Sequence, residues 1–198
     1  MCRRGLRVRS RPGHLAAETE HFYRIAAFNS VGNSGTSNVA SATTLPSGGS
    51  VDDVANGEVA EDGTVSGDFL DTQADDGVRE SILERESGGK PSNRYSFLEH
   101  KWLIDVSGGS PVTFFVKAFH DVSLEGDNFV FAYSTDDSLY IDMLTVTKVA
   151  DDGAYQSYPL PASTTGTVYV RVKDTDQTPG ANDLDAIHVD HLFIRSED

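Results

Sequence analysis

Cysteine is almost absent from this chain. The single Cys2 has no intrachain partner, so a small scaffold held by disulfides is excluded. Long apolar runs are missing too: no stretch approaches the roughly 18–20 consecutive apolar residues that cross a bilayer. Positive charge is scarce, with 16 Lys and Arg against 31 Asp and Glu, a formal net charge of −15 and a pI near 4.6. Nucleic acid is therefore not an expected partner, because binding a polyanion needs a cationic face that displaces counterions. The chain has no Gly-x-Ser-x-Gly elbow to expose a nucleophile, no glycine-rich loop opening a helix for a nucleotide phosphate, and no EF-hand spacing of Asp, Gly and Glu. Paired carboxylates of the kind glycosidases use are abundant, but with 31 acidic groups chance pairs are expected. What remains is a non-catalytic chain suited to a cation, a neutral ligand or a basic partner.

The 198 residues allow one large domain or one and a fraction. Charge divides them unevenly. Arg3, Arg4, Arg7, Arg9 and Arg11 crowd residues 1–13, whereas residues 54–198 hold 27 acidic and 10 basic groups. No apolar core follows the arginines, so 1–13 reads as an unstructured basic leader rather than a secretory signal, and the natural start is expected to lie upstream. His21 to Phe28 alternates like a strand, Asn29 to Gly35 is rich in turn formers, and Ser37 to Thr44 resumes the alternation. A β-hairpin is predicted within 14–45. Residues 46–53, with Pro46, Ser47, Gly48, Gly49 and Ser50, form a linker by composition.

Residues 54–198 contain about nine short segments of period-two alternation separated by turn clusters, which predicts an all-β antiparallel sandwich. In Thr167 to Val172, Val168, Val170 and Val172 share one face while Tyr169 and Arg171 share the other. Asp62–Gly63, Asp76–Gly77 and Asp152–Gly153 read as turns. Trp102, the only tryptophan, alternates with Leu98 and Ile104 and so points inward. Tyr140, Tyr155 and Tyr158 border acidic loops and are the candidate rings for stacking on a sugar. His188 and His191 stand three apart on a strand, so they are expected on opposite faces and not as a metal pair.

Some carboxylates fall where apolar residues are expected. Glu80 and Glu84 share a face with Val78 and Ile82, and Asp185 and Asp190 lie among apolar residues of the last segment. Burying such groups uncompensated is costly, so either the face of Glu80 and Glu84 lies at an edge or the carboxylates are compensated, and for Asp185 and Asp190 Arg171 or a bound Ca²⁺ is the expected compensation.

Two resemblances add to this. Leu15 to Gly32, with the pattern Arg24-Ile25-Ala26-Ala27-Phe28-Asn29-Ser30-Val31-Gly32 and closed by Ser37 to Thr44, resembles the last two strands of a fibronectin type III domain. His21 stands where that family usually has its corner tyrosine, and the preceding strands are absent. Residues 54–198 are similar to the calcium-stabilised jelly-roll carbohydrate-binding modules, on the segments Leu98-Glu99-His100-Lys101-Trp102, Tyr133-Ser134-Thr135-Asp136-Asp137 and Val168 to Asp176. The usual Glu-Ala-Glu opening is missing. This likeness implies a structural Ca²⁺ held by Glu80, Glu84, Asp174, Asp185 and Asp190, a polysaccharide or cell-surface glycan as ligand, and an origin in a larger secreted bacterial protein outside the cell. A calcium-stabilised spacer without a glycan ligand and a small glycoside hydrolase or lyase on the same fold are the alternatives.

Overall fold

The computed structural model describes residues 19–29, 31–43 and 48–198. The expected leader at 1–13 lies outside them. Two compact units divide at Gly49 and Ser50.

The first unit is a hairpin. Strand β1 (Glu20–Tyr23) pairs antiparallel with β4 (Ala40–Thr43), from Glu20 opposite Thr43 to Tyr23 opposite Ala40. Between them the two-residue strands β2 (Phe28–Asn29) and β3 (Gly32–Asn33) pair around the turn. The expected unbroken strand to Phe28 is interrupted, because the amides of Ile25 and Ala27 donate to the side-chain oxygens of Ser37 and Ser34 at 2.9 and 3.0 Å instead of completing a ladder. Phe22, Tyr23, Ile25 and Phe28 are exposed.

The second unit is a sandwich of two antiparallel sheets. It contains β5 (Ser50–Asp62), β6 (Thr64–Ser66), β7 (Glu80–Leu83), β8 (Arg85–Glu86), β9 (Ser96–Phe97), β10 (Glu99–Val106), β11 (Val112–His120), β12 (Phe129–Ser134), β13 (Ile141–Val146), β14 (Gln156–Leu160), β15 (Gly166–Asp174) and β16 (Ala186–Glu197). One sheet runs β13-β12-β15-β10-β5. The other runs β14-β11-β16, with the far edge of β16 shared between β5 and β7, and β6 beyond β7. From β10 to β16 the chain passes between sheets at nearly every connection, which is how a jelly roll interleaves its layers. The interior comes from inward positions of both sheets: Trp102, Phe114, Phe129, Phe131, Val170, Leu192 and Ile194 are closed to solvent. Trp102 stacks on Phe131 with centroids 5.9 Å apart. At the Asp62–Gly63 turn, Gly63 has φ +109°, and a Cβ there would stand 2.8 Å from the Leu83 carbonyl, so only glycine fits.

The longest strand was expected partly as linker and otherwise as no strand. β5 begins at Ser50 and belongs to both sheets: Ser50 to Val54 pair with β16, and Ala55 to Asp62 pair with β10. Its register shifts against β10 between Leu103 and Ile104, where Asn56 is the extra residue. That bulge reverses the alternation from Gly57 as far as Glu61, where the register shifts again, since one extra residue sends the side chains that follow to the other face. Glu58 therefore faces inward opposite Trp102, while Val59 faces out and is 41% exposed. A second bulge, at Asp190 in β16, has the same effect: Lys117 pairs with His191, but Ala118 pairs with Val189.

Candidate functional site

Four carboxylates meet at one end of the sandwich. Glu84 follows β7, Asp127 precedes β12, Asp174 ends β15 and Asp185 precedes β16. All are buried, Glu84 to 1% exposure. Backbone bonds fix part of the group: the Asp185 amide donates to Glu84 Oε2 and the Glu84 amide to the Asp185 carbonyl, both at 3.0 Å, and the Asp176 amide donates to Asp174 Oδ1 at 2.9 Å. Glu84 Oε1, both oxygens of Asp127, Asp174 Oδ2 and Asp185 Oδ2 are left without a hydrogen-bond partner. Ligand atoms of Glu84, Asp127 and Asp185 all lie within 4.8 Å of one another.

No Lys or Arg forms an ion pair with any of the four among the described residues. Burial first, and then the neighbouring carboxylates, push Glu84 up to about 8 and Asp174 up to about 6, and raise Asp127. Such a group has two routes to neutrality, protonation or a hard cation. Converging carboxylate oxygens without a competing Lys or Arg form the ligand set that Ca²⁺ takes.

Of the five carboxylates expected to share one ion, the structure brings together Glu84, Asp174 and Asp185. Glu80 and Asp190 lie elsewhere. Glu80, on β7, accepts the Trp102 indole N–H at 2.7 Å and faces His100 inside the core. Asp190, at its bulge, is turned to the outer face, where it pairs with Lys117 at 2.8 Å and accepts the Gly77 amide at 3.0 Å. Lys117, rather than Arg171 or an ion, neutralises it. Asp127 was not anticipated; Gly126–Asp127 resembles the chain's many turn pairs, and its sequence neighbours carry no further signal.

The same bulge overturns the expectation for the histidines. His188 and His191 both face outward, opposite Phe119 and Lys117. They take part in different contacts: His188 bonds Ser81 Oγ at 2.8 Å through Nδ1, and His191 Nδ1 shares a hydrogen bond with the Tyr155 hydroxyl at 2.8 Å. Burial lowers the pKa of His191.

Around His191 the outer face of the β14-β11-β16 sheet carries an aromatic strip. Phe115 and Phe193 stack with centroids 5.0 Å apart, and Tyr155 meets both edge-on at 6.4 and 5.8 Å. The Arg195 guanidinium lies 5.4 and 5.3 Å from the two phenylalanine centroids and is held by both oxygens of Asp52 at 2.6 and 2.7 Å. Tyr155, 38% exposed, rises from the strip and donates to Asp75 at 3.3 Å. Phe115 and Phe193 were missed, although an aromatic on the outward side of an amphipathic strand was the available signal; Phe193 is buried there beneath Phe115, His191 and Arg195.

The other two tyrosines differ. Tyr140 has its ring covered by Arg171 at 3.8 Å, and its hydroxyl donates to Asp137. Tyr158 packs against the core, since its β14 position pairs with inward Phe114; it does not face the loops as expected. A hollow of about 430 Å³ lies between Ser134 to Ile141 and Pro161 to Thr165, with Asp136, Leu139 and Thr164 in its wall.

No family model and no curated protein matches the chain. Solved structures with a similar backbone include TmCBM61 in complex with β-1,4-galactotriose, at 11% identity and TM-score 0.42, covering 69% of this chain and 85% of that one. Another is truncated AlyQ with CBM32 and alginate lyase domains, at 15% identity and TM-score 0.41, covering 75% of this chain and 34% of that one. This chain thus spans about a third of the AlyQ structure.

Proposed function

We propose that residues 50–198 are a non-catalytic carbohydrate-binding module that recognises polysaccharide or a cell-surface glycan through the sheet face carrying Tyr155, with Ca²⁺ at Glu84, Asp127, Asp174 and Asp185 as a structural ion. The observation that carries the glycan reading is the partly exposed ring of Tyr155, backed edge-on by Phe115 and by Phe193, which is itself buried, beside fixed polar groups. An exposed ring such as Tyr155 offers an apolar face to sugar C–H groups. Arg195, Asp52, Lys117 and Asp75, already oriented by one another, stand where hydroxyls would bond. Few side chains need ordering on binding, which lowers its cost. The resemblance of residues 14–45 to the end of a type III domain supports an origin in a larger secreted bacterial protein, acting outside the cell.

Retention on insoluble polysaccharides and on a glycan array tests the reading. Binding to at least one glycan is expected, with Tyr155→Ala reducing it by about tenfold or more, since one aromatic contact contributes on the order of 1–2 kcal/mol. No retention with or without Ca²⁺ would instead support a calcium-stabilised spacer, a reading the carboxylate cluster favours independently of any sugar. Retention unchanged in Tyr155→Ala but lost on substitution of Leu139 would move the site to the hollow beside Asp136. As for a glycoside hydrolase or lyase, Glu84, Asp127 and Asp174, three carboxyls with raised pKa, are closed to a substrate of sugar size.

A further inference from the structure

We propose that Glu58, Glu80 and His100 form a second cation site inside the sandwich, distinct from the four-carboxylate cluster and suited to a divalent transition ion of the zinc type. The three come from separate strands, β5, β7 and β10, and their ligand atoms lie within 4.8 Å of one another. Glu80 and His100 are fully buried. Among the described residues, no Lys or Arg lies within ion-pairing distance of either carboxylate; the one ion-pair partner of each is His100.

The geometry is that of co-ligands rather than of a hydrogen-bonded pair. His100 Nε2 stands 3.0 Å from Glu80 Oε1 and 3.8 Å from Glu58 Oε2. Even so, Nε2, Glu80 Oε1 and Glu58 Oε2 are all buried with no hydrogen bond formed, so close atoms face a shared space without the alignment a proton between them would impose. Ligands about 2.0–2.2 Å from a tetrahedral ion are separated by roughly 3.3–3.6 Å, between the two observed distances. One imidazole with two carboxylates suits zinc and its neighbours better than the all-oxygen preference of Ca²⁺.

A supporting contact holds Glu80. The Trp102 indole N–H donates to Glu80 Oε2 at 2.7 Å, leaving Oε1 free. Partners of this kind orient metal ligands. The bulge at Asn56 is what turns Glu58 inward, and bulges re-aim side chains next to functional sites. Glu58 keeps 24% side-chain exposure, which gives an ion a way in that its two companions lack.

The test uses the full chain, stripped of metal and then saturated with Ca²⁺ to fill the first site. Titration with Co²⁺ is expected to give one ion per chain with a visible ligand-field absorption, displaced by one equivalent of Zn²⁺. Glu58→Gln, an isosteric change at the least buried of the three ligands, should weaken Co²⁺ binding by more than about tenfold. Glu84→Gln should leave it unchanged. No Co²⁺ absorption would overturn the proposal and leave a proton-sharing carboxyl pair beside an imidazole. Absorption that survives Glu58→Gln would overturn it as well, by placing the ion on other histidines, and so would absorption lost in Glu84→Gln.

Discussion

Asp190 and Asp185 are both acidic, nearly buried and five positions apart at the start of the last strand, yet they have opposite surroundings. Asp190 stands beside Lys117, which also meets Asp75 at 2.6 Å and Asp151 at 3.7 Å, so its charge is compensated within the chain. Asp185 meets Glu84 and Asp127, two more acids with orphaned oxygens. The lesson is that an acidic residue in an apolar run does not identify a cation site. What decides is whether a lysine from another strand arrives, and the bulge at Asp190 turns that side chain to the face where Lys117 waits.

Calcium removal should separate the two regions most strongly. A native-state ligand at 100 to 1,000 times its Kd stabilises by about 3–4 kcal/mol, so chelation should lower Tm by roughly 10 °C and added Ca²⁺ should restore it. Glu84→Gln should abolish that response. Next in size, Lys117→Met strands the buried Asp190 carboxylate and should lower Tm by roughly 5–10 °C at neutral pH, with the response to Ca²⁺ intact. A calcium response lost with Lys117 would break the distinction.

Acidity sharpens it further. In the metal-free chain Glu84 and Asp174 hold protons up to about 8 and about 6, whereas an unfolded chain releases them near ordinary carboxyl values. The folded state then binds more protons than the unfolded one, so these groups contribute stability that is complete below about pH 4 and is lost as pH rises through 6 and 8. Chelated protein should therefore melt a few degrees lower at pH 8 than at pH 5, and saturating Ca²⁺ should remove or reverse that slope, because the ion requires ionised ligands. Thermal melts across that range with and without chelator read the sign. The smallest effect on stability belongs to Tyr155→Ala, under about 1 kcal/mol for a partly exposed ring, even though it should cost glycan retention.

Period-two patterning made most of the sandwich legible, because alternating cores such as Val168, Val170 and Val172 state their own face. It failed where the alternation is broken. β5 carries charges at Asp52, Asp53, Glu58, Glu61 and Asp62, changes sheet after Val54 and bulges at Asn56, so no single face is apolar along it. The outward placement of both His188 and His191 was hidden for the same reason. At the carboxylate cluster, Glu84 and Asp185 were readable as acids in apolar surroundings, and Asp174 entered only through the likeness to calcium-stabilised modules. Asp127 was not, since its partners lie more than forty residues away in either direction and only the fold brings them near.

Calorimetric titration of Ca²⁺ into chelator-treated protein tests the central claim most directly. One ion per chain is expected, with binding lost in Asp185→Asn and kept in Asp190→Asn. No heat of binding, or equal loss in both variants, would contradict it.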